Sequence, residues 1–408
     1  MTAKGNSLTQ CRRDAEKVRS VPLWSVTIWD KKFNTVEKDK QKNVIKYHYF
    51  LASELEPIVE LGGAVKILTT YESDLWTTES KVQGCVSEGE VVSIPWGGNP
   101  NVQYFKGRFV TADNRIATSS DTSILSNRYL FYFMLAKKGL IGSFYRGASL
   151  KHPEMSKVLD MMIPLPPLSA QRRIAAELDK ICELKKNAET RLEKLDLLVK
   201  SRFVEMFGGP KLTDMLHPLV PIGELFNVGS SKRVFQKDWR SEGVPFYRAR
   251  EVVKLSRDGH VDNELFISEE MFADYARQYG LPKPNDILVT GVGTLGVCYV
   301  VQKGDRFYYK DGNIICLNSR GLIDSTFVYH CYQQQFVRDQ IDKNALGSTV
   351  GTYTIDSARK TLVPLPPPAL QREFAAFVEK VDKLRVNVRE AVAKMDVLYR
   401  SKLQEYFG

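Results

Sequence analysis

The sequence predicts an α+β fold: two mixed α/β domains and two long coiled-coil helices, laid out as an internal repeat. Three observations carry that prediction. Residues 164–208 recur 200 positions later as residues 364–408, with 18 of the 45 positions identical and no gap, which marks a tandem duplication. Within each copy, apolar residues return at alternating intervals of four and three, the spacing of a coiled-coil seam. Ahead of each copy lie short β-branched and aromatic runs broken by turn residues, the pattern of a mixed domain.

In chain order, residues 1–20 form a charged lead-in with Arg12, Arg13, Lys17 and Arg19 and no apolar run behind them, so no signal peptide is expected. The first mixed domain spans 21–163. Its strand candidates are 21–28, 90–94 and 105–110, with turn signals at 97–100 and 112–114 and an aromatic helix candidate at 129–137. Residues 164–208 hold a proline-rich lead-in and the first long helix, and 209–218 are a linker. The second mixed domain, 219–363, repeats the plan with strand candidates at 286–290, 297–301 and 314–317 and an aromatic stretch at 326–336. A second proline-rich lead-in and long helix occupy 364–408.

The first seam reads Ile174, Leu178, Ile181, Ala188, Leu192, Leu195 and Val199; the second reads Phe374, Val378, Val381, Val388, Val392, Met395 and Tyr399. Lys185 and Arg385 take the one expected apolar slot in each, either snorkelling outward or specifying register at some cost in stability. Both Pro-Leu-Pro-Pro lead-ins lie outside the helix interior, because proline lacks the N–H and clashes with the preceding turn. Ser169 is the N-cap candidate of the first helix. Two such seams in one chain most simply bury each other.

The six cysteines are scattered without a C-x-x-C pair, as expected of reduced thiols in a cytoplasmic protein. No segment approaches 18 consecutive apolar residues, so no membrane partner is expected. The net charge of +10 and pI near 9.1 suit a polyanionic partner, but the surplus is spread along the chain rather than gathered in a tail.

Catalytic signatures are missing. Residues 291–296 match G-x-G-x-x-G, but the residues that follow are strand-like, so a glycine-rich hairpin is the expected reading. Residues 98–101 resemble the Asn-Pro-Pro-aromatic motif of adenine methyltransferases only superficially, lacking its second proline and its aromatic, and read as a turn. The five histidines have no metal spacing, and no phosphate loop or general acid–base pair stands out. The chain is expected to be non-catalytic, with no metal and no cofactor of its own.

The duplicated proline-rich lead-in, the Gln171-Arg172 and Gln371-Arg372 pairs, the long helix and the terminal Phe-Gly, set around two divergent domains, resemble the specificity (S) subunits of type I restriction-modification systems. The resemblance covers residues 20–408 and rests on architecture and the two helix segments. It implies two target recognition domains, separated by the two long helices as an antiparallel spacer in a pseudo-twofold arrangement, that each read half of a bipartite, asymmetric site in double-stranded DNA. It also implies two methyltransferase (M) subunits as partners and, in the restriction complex, restriction (R) motor-nuclease subunits. S-adenosylmethionine, ATP and Mg would then belong to those partners, and DNA methylation and phage defence would be the context.

DNA contacts are assigned by residue type, since Lys and Arg hold phosphates while Arg also reads base edges. The candidates are Lys232, Arg233, Lys237, Arg240, Arg248 and Arg250 in the second domain, and Lys31, Lys32, Lys106 and Arg108 in the first; solvated surface charge is the bland reading of each. Two rivals stay open: a stand-alone duplicated DNA-binding regulator, and an assembly scaffold whose mixed domains bind protein.

Overall fold

The computed structural model describes residues 18–30, 45, 47–345 and 351–408. The chain divides into two compact units, Met1–Ala188 with Ala391–Gly408, and Glu189–Glu390. Each of the two forty-residue helices, Leu168–Phe207 and Pro368–Phe407, contributes to both units.

The first unit contains β1 (Ser20–Pro22), β2 (Thr27–Trp29), β3 (Val65–Leu68), β4 (Trp76–Thr77), β5 (Ser87–Pro95), β6 (Gln103–Thr111), β7 (Asn114–Ser119), β8 (Tyr145–Arg146), β9 (His152–Pro153) and β10 (Met162–Pro164). Six of these form one sheet in the order β2-β7-β5-β6-β3-β4. Its first four strands are antiparallel, and β3 joins β6 in parallel. The run expected as one strand at 21–28 is two, separated by a single 3₁₀ turn at Leu23–Ser25. The split is needed because β1 pairs with β10 while β2 pairs with β7 in the main sheet. The turn at 112–114 places Asp113 at φ 51°, a left-handed conformation that aspartate tolerates through local hydrogen bonding. Buried Asn114 then donates to the carbonyls of Leu68 and Thr69, at 3.0 and 3.1 Å.

The helix Asn127–Ala136 lays Tyr129, Leu130, Phe133 and Met134 against Val92, Ile94 and Ala117 of this sheet. The C-terminal Phe407 completes the same core, its ring 5.1 Å from that of Tyr129.

The second unit contains β11 (Leu219–Pro221), β12 (Phe226–Gly229), β13 (Val244–Tyr247), β14 (Phe266–Ile267), β15 (Ile287–Thr290), β16 (Cys298–Val300), β17 (Tyr308–Tyr309), β18 (Ile314–Ser319) and β19 (Leu362–Pro364). Strands β12-β18-β15-β16 repeat the antiparallel core order of β2-β7-β5-β6. Beyond that core the units differ: the first extends its sheet with β3 and β4, whereas the second builds a separate sheet, β14-β13-β17. The glycine-rich string joins antiparallel β15 and β16. Gly296 there has φ 70°, and a Cβ on it would meet Ile341 Cδ1 at 2.4 Å. Phe207 meets Phe327 edge-on at 4.7 Å and Phe374 at 5.4 Å in an aromatic core, each buried phenylalanine contributing roughly 1.5–3 kcal/mol.

The first long helix begins one residue before Ser169, so Ser169 is not its N-cap. Ala170 and Gln171 donate their N–H groups to the Pro167 carbonyl, at 2.8 and 3.1 Å. Pro368 occupies the first position of the second helix, where proline's missing N–H has no intrahelical partner to lose.

Candidate nucleic-acid interface

After β12 the chain of the second unit runs through a loop that its own hydrogen bonds pin down. Ser230 and Ser231 donate their hydroxyls to the carbonyls of Ile314 and Tyr309, at 2.8 and 2.6 Å. The Tyr308 hydroxyl accepts from the Lys232 N–H at 2.9 Å and donates to the Lys232 carbonyl at 3.2 Å. Val234 is buried between these anchors and the one-turn helix Gln236–Asp238, while Lys232, Arg233, Lys237 and Arg240 are exposed. Arg233 Nε donates to Asp311 at 2.8 Å. Lys232 Nζ lies 5.3 Å from the centre of the Tyr279 ring, and Arg240 donates to the Lys237 and Trp239 carbonyls at 3.2 and 3.0 Å. Among the described residues no carboxylate pairs with Lys232, Lys237 or Arg240.

Arg248 and Arg250 are engaged otherwise. They flank the start of the helix Ala249–Asp258 and both bind Glu251, whose side chain is 5% exposed; Arg250 also reaches Glu264. Burial pushes the Glu251 carboxyl up, but hydrogen bonds from Arg248 and Arg250 outweigh it and hold the group below its usual range.

In the first unit Lys31 and Lys32 lie outside the described residues. Lys106 and Arg108 share one face of β6, Lys106 3.7 Å from Glu90 and Arg108 2.7 Å from Glu79. Sequence reasoning missed a fully buried ion pair at the end of β2, where Asp30 lies 3.5 Å from Arg115. Asp30 also accepts the Ile116 N–H, and Arg115 lies over the Trp96 ring. No pattern in the sequence marks that pair, because its members are far apart in the chain. Cys298, Cys316 and Cys331 are buried, Cys85 and Cys182 are exposed, and none of these five is in a disulfide. Among the described residues no cluster has the make-up of a metal site and no helix is long and apolar enough to cross a membrane.

The helices pair antiparallel within each unit. In the first, Glu177 contacts Lys402 and Tyr406, while Lys185 meets Asp396 at 2.7 Å, so numbering falls on one helix as it rises on the other. In the second, Arg385 meets Asp196 and Arg202 meets Glu373, both at 2.7 Å. Leu178, Ile181, Leu195, Val199, Phe374, Val378, Val381 and Val388 are buried; Ile174, Ala188, Leu192, Val392, Met395 and Tyr399 are partly buried. Gln171 ties the first helix to its domain by accepting from the Ser126 N–H at 3.0 Å and donating to the Ile124 and Pro166 carbonyls at 2.8 and 2.9 Å. Gln371 repeats the clasp, accepting from the Asp324 N–H at 2.8 Å and donating to the Pro366 carbonyl at 2.7 Å.

Packing explains only some of the identities between the repeats. Within the helices, Gln171, Ala175, Asp196 and Phe207 and their counterparts are buried, half-buried or ion-paired. The other nine identical helix positions are exposed in both copies. In the first unit these are Arg172, Ala176, Lys180, Leu184 and Asn187 on one helix with Lys394, Leu398, Ser401 and Glu405 on the other. The second unit carries the same nine residue types at Arg372, Ala376, Lys380, Leu384 and Asn387 with Lys194, Leu198, Ser201 and Glu205. At 3.6 residues per turn these positions fall within an arc of about 120° on each helix. Leu184 and Leu398 each directly precede a seam position, which in an antiparallel pair puts them on the same flank. Leu184, Leu384, Leu198 and Leu398 remain 43%, 42%, 47% and 47% exposed. Each unit thus presents one copy of the same partly apolar surface.

Residues 27–196 and 219–392 both match the type I restriction modification DNA specificity domain. A Haemophilus influenzae protein assigned as a type I restriction enzyme specificity subunit is 26% identical over 336 residues, covering 80% of this chain and 83% of that protein. The Escherichia coli type I restriction enzyme EcoBI specificity subunit is 25% identical over 311 residues, 69% of this chain and 65% of that one. The crystal structure of a type I restriction-modification S subunit from M. genitalium shares the fold, with a TM-score of 0.61, 16% identity and 96% of each chain covered. With both halves matched, the chain belongs to the type I restriction-modification specificity-subunit family, whose members recognise DNA and are not themselves catalytic.

Proposed function

We propose that this chain reads a bipartite, asymmetric site in double-stranded DNA, one half-site per mixed domain, and carries two copies of one methyltransferase subunit to it. The observation behind this reading is the contrast between surfaces: the nine exposed helix residues occur identically in both units, while the sheets diverge beyond their four-stranded core. Identical surfaces suit two copies of one partner, and unlike domains suit two unlike sequences. The doubled helices serve as the spacer between half-sites, since a fixed spacer turns groove geometry into a defined half-site separation. Lys232, Lys237 and Arg240 in the second domain, with Lys106, Arg108, Lys31 and Lys32 in the first, supply phosphate contacts that set affinity without specifying sequence. The partners would hold S-adenosylmethionine and methylate a flipped-out adenine. A restriction complex in the cytoplasm would add motor-nuclease subunits with their ATP and Mg.

The experiment is domain replacement. Exchanging residues 21–163 for another recognition domain, co-expressing the chimera with the methyltransferase and mapping methylated adenines should change one half of the modified sequence and leave the other half intact. A change in both halves, or in neither, would overturn the reading.

A further inference from the structure

We propose that Phe235 is a sequence-reading residue of the second unit, held outward to pack on a thymine methyl in the major groove while Lys237 and Arg240 grip the flanking phosphates. This rests on the DNA-recognition reading above and adds to it the side chain that discriminates between bases. Phe235 is 57% exposed. A lone exposed aromatic is ordinary on a protein surface; its frame sets this one apart. Its neighbour Val234 is 4% exposed and occupies the apolar site formed with Phe246, Ile267 and Tyr308, so the loop has already used its inward-facing position. Upstream, the Tyr308 hydroxyl holds both backbone groups of Lys232. Downstream, Asp238 donates its N–H to the Phe235 carbonyl at 2.9 Å and Trp239 donates to Gln236 at 3.2 Å, closing a turn. Phe235 therefore stands on a pinned loop, and little ordering remains to be paid for when it is covered.

The surroundings select the occupant. Asp238 and Glu242 share this loop, but among the described residues neither they nor any other carboxylate pairs with Lys237 or Arg240, so both cations beside the ring remain available to a phosphate backbone. A phenyl ring cannot hydrogen-bond a base edge. In the major groove the apolar feature that differs between bases is the C5-methyl of thymine, and phenylalanine is among the side chains that contact it.

The test uses the full-length chain assembled with its methyltransferase subunits. The probe is a pool of duplexes with a randomised core, from which retained sequences are recovered and counted. Phe235→Ala should lose the preference for thymine at one position of one half-site, a change on the order of tenfold, while Phe235→Leu keeps part of it. Uracil in place of that thymine, which removes only the methyl, should weaken the unaltered complex and leave the Phe235→Ala complex unaffected. Lys237→Ala and Arg240→Ala should instead weaken all retained sequences alike and each lower the salt dependence by about one phosphate contact. If Phe235→Ala keeps both half-site preferences while the two charge variants weaken retention, the Phe235 contact is wrong and the DNA reading stands. If the unaltered complex retains no sequence over any other, the DNA reading itself falls and this inference with it.

Discussion

Lys185 Nζ lies 2.7 Å from Asp396, and the duplication repeats the contact between the residues 200 positions away, Arg385 and Asp196, also at 2.7 Å. Each pair places a cation in a seam position otherwise filled by apolar residues, a device that fixes register at a cost in stability. Lys185 and Asp396 are 37% and 34% exposed, Arg385 and Asp196 15% and 62%, so each pair keeps at least one partner in water and is screened by salt. Double-mutant cycles in urea unfolding should give a coupling of about 0.2–1 kcal/mol for Lys185–Asp396, weakening as salt is raised. The Arg385–Asp196 pair, whose carboxylate is the more exposed and whose arginine also binds Asp382, should fall in the same range of about 0.2–1 kcal/mol. Zero coupling in both would leave the cations with no role in register.

Gln171 and Gln371 each join a helix start to the domain beside it. Gln371→Ala would leave the Asp324 N–H and the Pro366 carbonyl without this partner, at a cost of about 1–3 kcal/mol. Gln171→Glu is the sharper variant, because a carboxylate accepts from Ser126 but cannot donate to the Ile124 and Pro166 carbonyls. Buried against them, the new carboxyl should have a raised folded-state pKa. Stability is then present at acid pH, where the protonated group donates again, and falls as pH rises. Urea midpoints across pH should show that decline in Gln171→Glu relative to the parent chain.

His330 is 7% exposed and stands edge-on to Phe374 with ring centres 5.3 Å apart. Burial first, and then the nearby Arg385 charge, pull its imidazole down from 6.5 to about 3. In the unfolded chain it protonates near 6.5, so between these values the unfolded state binds more protons. The contribution of this residue to stability is complete above pH 6.5 and is lost as pH falls towards 3, by up to roughly 1.4 kcal/mol per pH unit. His330→Phe should flatten that part of the acid limb in chemical unfolding. A limb unchanged by the substitution would mean that other groups control it.

What the sequence disclosed and what it hid follow from the range of the interactions. The seam from Ile174 to Val199 was legible because helix periodicity is local, and the duplication made the pattern visible twice. The split of residues 21–28 into β1 and β2 was hidden because it depends on which distant strand each half pairs with. Helix starts were equally obscure: a serine near the boundary suggested a cap, but the Pro167 carbonyl takes that part. Of the basic cluster, adjacency in sequence found Lys232 to Arg240 on one loop. It could not tell that Arg248 and Arg250 are committed to Glu251, since that depends on the helix they begin. The nine-residue surface needed both sources, because identity came from the sequence and exposure from the fold.

That surface makes a stoichiometric prediction. Leu184 and Leu398 belong to the first unit and Leu384 and Leu198 to the second, and all four are more than two-fifths exposed. Glutamate is a good helix former, so Leu184→Glu with Leu398→Glu should leave the thermal midpoint of the chain almost unchanged. Covering the exposed part of two leucines contributes roughly 0.7–1.4 kcal/mol each, so placing carboxylates there should weaken docking at that surface by at least about tenfold. Light scattering of the complex with the methyltransferase should then show a mass lower by one partner. Leu384→Glu with Leu198→Glu should remove the other partner, and all four substitutions together should remove both. Loss of both partners from either pair alone, or of neither, would mean that the repeated surface is not two independent docking sites.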